Sequence, residues 1–207
     1  PLSCSQTKIV DLKKIEQLIS LNKKKKRGIV FFSAHYGNWE LGPIIIKSLG
    51  LDPLCVYRKS NNKFVELLIQ TIRGKNATYA PKGDIGAKKS YLWLRKGKTL
   101  ALLMDQKLNE GLSIDFLGKP ANTASFIADI AIRMNLDIVP IKFSRDVNNN
   151  NIITFYKKIN MPKNNLSKNR KISFILKQVN DVMSQWIKDQ PENWLWIHRR
   201  WQKDLYI

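Results

Sequence analysis

The sequence predicts an α/β protein with a mostly parallel central sheet flanked by helices, and three observations support this fold class. Short apolar runs alternate along the chain with longer segments whose apolar residues recur at helical spacing. Strands that alternate with helices in this way form parallel sheets with helices on their faces. A length of 207 residues with 43% hydrophobic residues is enough for the core of a single domain, which we expect to span residues 1–207.

The elements follow from these patterns in order. A first helix is predicted over 8–22, where Ile9, Leu12, Ile15 and Leu18 lie on one face with lysines opposite. Strands are predicted at 28–34, 53–57, 77–80, 99–104, 137–143 and 152–159. The helices between them are predicted at 39–49, 62–73, 84–96 and 123–135. A last helix runs over 170–189 and is ended by Pro191, while the polar tract 148–151 is typical of a hairpin loop.

The charge of the chain limits its partners. The formal net charge is +20 and the pI is about 10.0, which favours nucleic acid, an anionic membrane surface or an acidic protein. Compositional drift towards lysine and asparagine is an alternative origin of this charge. No helix-turn-helix, zinc-finger or RNP-type signature is present, so no nucleic-acid partner is expected.

Cysteines and long apolar segments are scarce. Cys4 and Cys55 are the only cysteines and have no paired spacing, which argues against a disulfide framework or a zinc site. No stretch approaches the ~18 to 20 apolar residues that span a bilayer. We therefore expect a reducing compartment and no metal.

Residues 33–40 give the sharpest functional signal. His35 ends the apolar run 29–32, and Glu40 follows it by five positions. Positions five apart point about 140° away from each other on a helix and lie on opposite faces of a strand, so the two side chains meet only if the chain turns. Gly37 and Asn38 are the natural place for that turn. The segment predicts an acid/base site, with the alternative of a buried structural histidine and a carboxylate favoured by a helix dipole.

The same residues carry a family resemblance. Residues 35–40, His-Tyr-Gly-Asn-Trp-Glu, match the His-x4-Glu/Asp signature of glycerolipid acyltransferases, and the Gly-Asn-Trp-Glu form resembles the lipid A late acyltransferases. The further matching blocks follow in family order at 57–62 with 72–74, at 103–106 with 116–120, at 138–140 and at 194–201. His-x4-Glu alone is weak evidence, whereas five ordered blocks over roughly residues 28–202 are strong.

The resemblance implies a reaction and roles for its residues. It implies transfer of a fatty acyl chain from acyl carrier protein to a hydroxyl of a lipid A precursor, without a cofactor. His35 is then the base, since a histidine with the ordinary pKa of about 6.5 accepts a proton near neutral pH, and Glu40 bonds and orients its ring. The amides near Gly37 and Asn38 would hold the oxyanion.

Three further residues are expected to bind substrate. Arg58 follows a short apolar strand and would bind acceptor phosphate or the phosphopantetheine of the donor, with an ordinary salt bridge as the alternative. Asp105 and Gln106 also end a strand, where Asp105 would orient a substrate hydroxyl, pair with Arg58 or simply cap the next turn.

The C-terminal block leaves two interpretations open. Residues 194–201 combine three tryptophans with His198, Arg199 and Arg200, as an interfacial patch would. The alternative is a packed C-terminal helix. His198 is also the competing general base, although no carboxylate follows it at a suitable spacing.

The resemblance also sets expectations about location and competing functions. It implies the cytoplasmic face of the inner membrane of a Gram-negative bacterium, with an anionic membrane surface as a partner. Members of the resembled family usually carry an N-terminal membrane anchor, whereas this sequence begins at a proline and reaches His35 early. We expect that the N-terminal part is missing from the fragment, with a naturally peripheral enzyme as the alternative. The alternatives are a related glycolipid or phospholipid acyltransferase that uses acyl-coenzyme A, and a non-catalytic basic module that binds membrane or nucleic acid.

Overall fold

A computed structural model describes residues 7–74 and 76–206 of the chain. These residues form a seven-stranded sheet in the order β1-β9-β8-β2-β5-β3-β4, with a separate two-stranded hairpin, β6-β7. The strands are β1 (Thr7–Val10), β2 (Ile29–Ser33), β3 (Pro53–Tyr57), β4 (Thr78–Pro81), β5 (Thr99–Leu103), β6 (Leu112–Phe116), β7 (Lys119–Thr123), β8 (Asp137–Arg145) and β9 (Asn151–Phe155). All pairs in the large sheet are parallel except β8 with β9.

The helices cover both faces of this sheet. They are α1 (Leu12–Lys24), α2 (Leu41–Ser48), α3 (Lys63–Arg73), α4 (Asp84–Arg95), α5 (Phe126–Met134) and α6 (Lys168–Asp189). One buried cluster joins the sheet to α1 and α2, and a second joins it to α4, α5 and α6. The predicted fold class, a mostly parallel α/β sheet flanked by helices, is confirmed.

The centre of the sheet explains why its strands were recognisable. Every residue of β2 is buried, because β2 has β5 on one side, β8 on the other and helices on both faces. A strand buried on both faces is a continuous apolar run rather than an alternating one. The six predicted strands and six predicted helices all occur, with ends shifted by a few residues, and the loop at 148–151 joins β8 to β9 as expected.

Three parts of the chain differ from the prediction. The start of the predicted first helix is β1, which pairs in parallel with β9 and is followed by Asp11, a residue with a left-handed φ of 61°. The hairpin β6-β7 was missed, and its turn is Leu117-Gly118, both with positive φ. The C-terminal block is not an α-helix: a short 3-10 turn, Pro191–Asn193, leads into an extended and looped segment.

Within the described residues, no helix has the length and apolar character needed to cross a membrane. Cys55 is a free thiol, and Cys4 lies outside the described residues.

Candidate active site

His35 and Asp105 are brought together by the register of two parallel strands. In that register Ser33 at the end of β2 lies opposite Leu103 at the end of β5. His35 comes two positions after Ser33, and Asp105 comes two positions after Leu103, so the two residues emerge side by side at the carboxyl edge of the sheet. Open α/β sheets bind their ligands at this edge.

A buried carboxylate holds the His35 ring. Asp105 Oδ1 lies 2.9 Å from His35 Nδ1, and Asp105 Oδ2 accepts hydrogen bonds from the His35 backbone N–H at 3.0 Å and from Trp194 Nε1 at 2.9 Å. Asp105 is only 4% exposed. Burial alone would raise the pKa of Asp105, but the hydrogen bonds and the charge of His35 outweigh it and leave that pKa below its ordinary value. A charged Asp105 makes Nδ1 the protonated nitrogen and leaves Nε2 free to accept a proton.

This arrangement corrects the expected partner of His35. Glu40 does not bond the imidazole; it forms a two-contact ion pair with Arg73, whose Nη2 and Nε lie 2.7 Å and 3.2 Å from its two carboxylate oxygens. The predicted turn is present, but it leaves Glu40 at the start of α2, where the C-terminal residue of α3 reaches it. Asp105, expected to bind substrate or to pair with Arg58, takes the place assigned to Glu40.

The Glu40–Arg73 pair is itself well fixed. The Arg73 guanidinium lies over the rings of Tyr57 and Tyr79, at 5.5 Å and 5.4 Å from their centroids. The hydrogen bond to Glu40 raises the pKa of Arg73, so this guanidinium is charged at any physiological pH. Burial raises the pKa of Tyr79 to about 12. The result is a rigid charged cluster on the same cavity wall as the histidine.

The turn at Gly37 and Asn38 is present and tightly constrained. Gly37 has φ +56°, and a Cβ at this position would lie 2.3 Å from the Phe143 carbonyl oxygen on β8, so only glycine fits without strain. The Gly37 N–H donates to the Asn193 carbonyl at 2.8 Å. Within the part of the chain that the structure describes, the N–H groups of Asn38 and Trp39 have no hydrogen-bond acceptor. Of the amides considered for an oxyanion, these two remain available.

A cavity of about 270 Å³ opens beside His35 between the sheet and helices α2 and α3. His35, Trp39, Glu40 and Arg73 line one part of it. The remaining wall is mostly apolar and includes Phe31, Ile46, Val56, Ala101, Ile141 and Phe143. Cys55 also lines the wall, and burial raises the pKa of its thiol to about 12, so the sulfur is neutral and unreactive. An apolar cavity that ends at a histidine and one carboxylate suits an acyl chain whose carbonyl is attacked at the mouth.

Arg58, Gln106 and Lys82 form a polar corner of the same cavity. Lys82 Nζ donates to Gln106 Oε1 at 2.7 Å, and partial desolvation together with the charge of Arg58 lowers the pKa of Lys82. Among the described residues Arg58 has no carboxylate partner, so the ordinary salt bridge considered as an alternative is absent. Two neighbouring cations that lack an acid partner provide a site for an anion such as phosphate.

The C-terminal segment completes the site. The Gly37–Asn193 hydrogen bond is followed by one from Leu195 N–H to the His35 carbonyl at 2.8 Å, so residues 193–195 run antiparallel to residues 35–37. The segment positions the Trp194 indole N–H to donate to Asp105, and it brings the centroid of the His198 ring to 5.9 Å from that of the His35 ring.

Arg200 fixes the end of this segment. It is fully buried and donates to the Asn122 carbonyl at 2.8 Å and to Thr123 Oγ1 at 2.7 Å on β7, with its guanidinium 4.7 Å from the Phe116 ring centroid. Burial lowers the pKa of Arg200 to about 10. Trp196 and Ile197 are instead exposed, so the segment is neither a helix nor a uniformly packed one.

Several residues of the site had no assigned role in the sequence analysis: Arg73, Trp194, Tyr57, Tyr79 and Lys82. Arg73, Tyr57 and Trp194 carried a signal as members of the blocks at 72–74, 57–62 and 194–201. Tyr79 and Lys82 carried none, because their roles depend on contacts between distant segments. Among the described residues, no group of three or more His, Cys, Asp or Glu side chains is arranged to hold a metal ion.

Comparison with known protein families gives a match over nearly all of the sequence. The sequence model of a family described as bacterial lipid A biosynthesis acyltransferase matches residues 4–203, nearly the whole chain. No curated protein matches the chain.

Proposed function

Because the chain belongs to the bacterial lipid A biosynthesis acyltransferase family, it is an acyltransferase, and we propose that it moves a fatty acyl chain from acyl carrier protein to a hydroxyl of a lipid A precursor. One observation supports this reaction above the others: the His35 imidazole, held by the buried Asp105 carboxylate, lies at an apolar cavity of acyl-chain character. The family's role in lipid A biosynthesis also implies association with a membrane. The proposed location is the cytoplasmic face of the inner membrane of a Gram-negative bacterium.

The proposed chemistry is direct attack. His35 Nε2 takes the proton of the acceptor hydroxyl as its oxygen attacks the thioester carbonyl carbon. The oxyanion of the tetrahedral intermediate accepts hydrogen bonds from the N–H groups of Asn38 and Trp39. The carbon–sulfur bond then breaks, and the imidazolium returns the proton to the leaving thiolate. Asp105 stays ionised throughout and stabilises the imidazolium, as the carboxylate does in a Ser-His-Asp triad.

Glu40 stays in the proposed catalytic set with a changed role. Its carboxylate lines the same cavity as His35, and Arg73 fixes its orientation. From that position it accepts a hydrogen bond from the acceptor and directs the reacting hydroxyl at His35. Replacing Glu40 with Gln would keep the shape and remove the charge, which we expect to reduce kcat rather than to destabilise the fold.

The polar corner provides the proposed contact for the phosphate of the acceptor. Arg58 and Lys82 supply the positive charge, and Gln106 holds Lys82 through its side-chain oxygen. An Arg58→Ala variant should raise KM for a phosphorylated acceptor while changing KM for its dephosphorylated form little. An equal rise in KM for both acceptors would show that Arg58 does not bind the acceptor phosphate.

The direct test is transfer of radiolabelled acyl groups from acyl carrier protein to a panel of membrane lipids. Wild type should label a lipid A precursor, and His35→Ala should not. His198→Ala, which removes the chain's other histidine, is the matched control and should retain activity. Label on phospholipid or another glycolipid would assign a different acceptor to the enzyme. Turnover by His35→Ala would refute the assignment of His35 as the general base.

The donor separates the proposal from its closest alternative. Acyl carrier protein is acidic, and the +20 charge of the chain should steer it, so the transfer rate from this donor should fall with salt. A rate that is higher from acyl-coenzyme A and depends little on salt would instead favour the coenzyme donor. Vesicle binding without transfer from either donor would favour a non-catalytic basic module.

A further inference from the structure

Helix α3 has its polarity reversed relative to an ordinary surface helix. The side chain it buries is a carboxylate: Glu66 is 4% exposed, and it accepts hydrogen bonds from the Tyr57 hydroxyl, the Ser60 backbone N–H at 2.8 Å and Gln70 Nε2 at 2.7 Å. A surface helix of a soluble protein normally turns its apolar stripe inward and its charged residues outward.

Apart from Ile69, the large apolar residues of α3 point to solvent instead. Phe64, Leu68 and Ile72 are 83%, 58% and 74% exposed, and they lie at successive i+4 positions along one side of the helix. Val65 and Leu67 beside them are 44% and 64% exposed. We call these five residues the outer face of α3. A contiguous apolar surface with a polar rim marks a contact site, unlike apolar residues that are exposed singly.

The outer face lies at the wall of the acyl cavity. Ile69 and Arg73 of the same helix line that cavity, and Ile72 borders an adjoining cleft with Pro43 and Ile44 of α2. Whatever contacts the outer face is therefore next to the opening through which an acyl chain or a lipid acceptor enters.

The exposed charges at the N-terminal end of α3 are of one sign. Arg58, Lys59 and Lys63 are exposed at the N-terminal end of α3. Between residues 57 and 74 the only acidic residue is Glu66, whose carboxylate faces inward. Bulky apolar side chains bordered by cations are the features of a helix that lies in the interface of an anionic bilayer.

We propose that the outer face of α3 docks on an anionic lipid bilayer, with Phe64, Leu68 and Ile72 inserted among the acyl chains and the lysines at the headgroups. Docking this way places the cavity opening at the lipid surface, so an acceptor reaches His35 without crossing water. The proposal deepens the proposed function but does not depend on it, because membrane binding is measured without turnover.

The test is co-sedimentation with vesicles of phosphatidylcholine mixed with phosphatidylglycerol, and with phosphatidylcholine alone. Wild type should bind the mixed vesicles more tightly than the neutral ones. The triple variant Phe64→Ser, Leu68→Ser, Ile72→Ser should bind the mixed vesicles at least about tenfold more weakly, because three large apolar side chains no longer leave water. Binding unchanged from wild type would overturn the proposal.

A matched control removes the same kind of side chain elsewhere. Leu21, Val147 and Phe174 are 55%, 101% and 42% exposed on other parts of the surface. Replacing these three with Ser should leave vesicle binding within about twofold of wild type. An equal loss of binding in this control would mean that general surface hydrophobicity is responsible, and would overturn the assignment to α3.

Two measurements separate this proposal from the proposed function. His35→Ala should bind vesicles like wild type without transferring acyl groups. The triple variant should turn over a detergent-dispersed acceptor normally and lose activity on an acceptor embedded in vesicles. Loss of activity on the detergent-dispersed acceptor as well would overturn the proposal. So would a triple variant that keeps vesicle binding but loses self-association or carrier-protein binding, because the outer face would then serve a different contact.

A spin label at Leu68→Cys gives direct evidence of insertion. In the presence of mixed vesicles the label should become accessible to oxygen and protected from a water-soluble relaxing agent. A label that stays accessible to the water-soluble agent while the protein is bound would place α3 away from the bilayer and overturn the proposal.

Discussion

Replacing Asp105 with Asn isolates the contribution of the carboxylate to catalysis. The amide keeps the shape, and its oxygen can still accept from the His35 backbone N–H and Trp194, the two donors that now share Oδ2. Its NH2 group would then face His35 Nδ1, favour the tautomer protonated at Nε2, and remove the base. The fold should therefore survive while the catalytic nitrogen is blocked.

The size of the loss follows from the geometry. A contact of 2.9 Å between Asp105 Oδ1 and His35 Nδ1 puts the two charge centres about 4 Å apart, and at an effective dielectric of about 20 their attraction is about 4 kcal/mol. Since about 1.4 kcal/mol is a factor of ten in rate, kcat should fall about 10³-fold. The tautomer effect can increase this to the ~10⁴-fold seen for the same change in a serine-protease triad.

The assay is single-turnover transfer of labelled acyl groups, in which kcat is not masked by product release. Asp115→Asn, which changes an exposed carboxylate on β6, is the matched control and should leave the rate unchanged. Glu40→Gln should lower the rate without changing the tautomer of His35, which NMR of ¹⁵N-labelled imidazole reports directly. If Asp105→Asn kept more than about a tenth of the wild-type rate, or if Glu40→Gln alone shifted the tautomer, the assignment of Asp105 would be wrong.

Further predictions concern stability, pH and chain length. Gly37→Ala would force a side chain into the Phe143 carbonyl at positive φ, costing about 2–3 kcal/mol and lowering Tm by about 5–10 °C in a thermal melt. The pKa of Asp105 is depressed below 3.8 in the folded protein, so the ionised carboxylate contributes fully to the free energy of unfolding above that pH. This contribution is lost as the pH falls through the folded-state pKa. The free energies of unfolding of wild type and Asp105→Asn, measured by denaturant titration, should therefore converge only below about pH 4. Trp194→Phe removes one donor to Asp105 and should lower kcat about tenfold while ring packing is kept, and an unchanged kcat would show that this hydrogen bond is dispensable. Cys55→Phe narrows the apolar cavity, so kcat/KM should shift towards shorter donors by about fourfold per methylene excluded, measured across a chain-length series.

The sequence was sufficient for the parts of the fold whose signal is local. Strand β2 could be predicted because burial on both faces makes it continuously apolar, and Gly37 could be placed at a turn because His35 and Glu40 cannot otherwise approach each other. Strand β1 was missed because Ile9 and Leu12 are three apart and continue the helical spacing of α1, while the break at Asp11 depends on a left-handed conformation that leaves no apolar signal. The hairpin β6-β7 was missed because its turn contains leucine at a positive-φ position, where asparagine or glycine is usual.

The partner of His35 could not be predicted for a different reason. Asp105 reaches the ring because β5 is the neighbour of β2 in space, although β3 and β4 separate them along the chain. Strand order in a parallel sheet is not visible in one sequence, whereas Glu40 is visible as the carboxylate of the His-x4-Glu signature, and the resemblance therefore implies Glu40 as the partner. The ion pair of Glu40 with Arg73 likewise depends on the fold, which brings the last residue of α3 to the start of α2.

The antiparallel pairing of residues 193–195 with residues 35–37 has a consequence for when the protein becomes active. Along the sequence the base precedes β9, and β9 precedes Trp194, which donates to the carboxylate that holds the base, so Trp194 leaves the ribosome after both. The sheet from β1 to β9 can be synthesised in full before that segment exists, and closing so long a loop costs entropy before any contact is gained. A nascent chain, or one cut before residue 193, would thus hold His35 and Asp105 without the contacts of residues 193–195, and competence to transfer acyl groups would be acquired only after the sheet has formed and after any docking through α3.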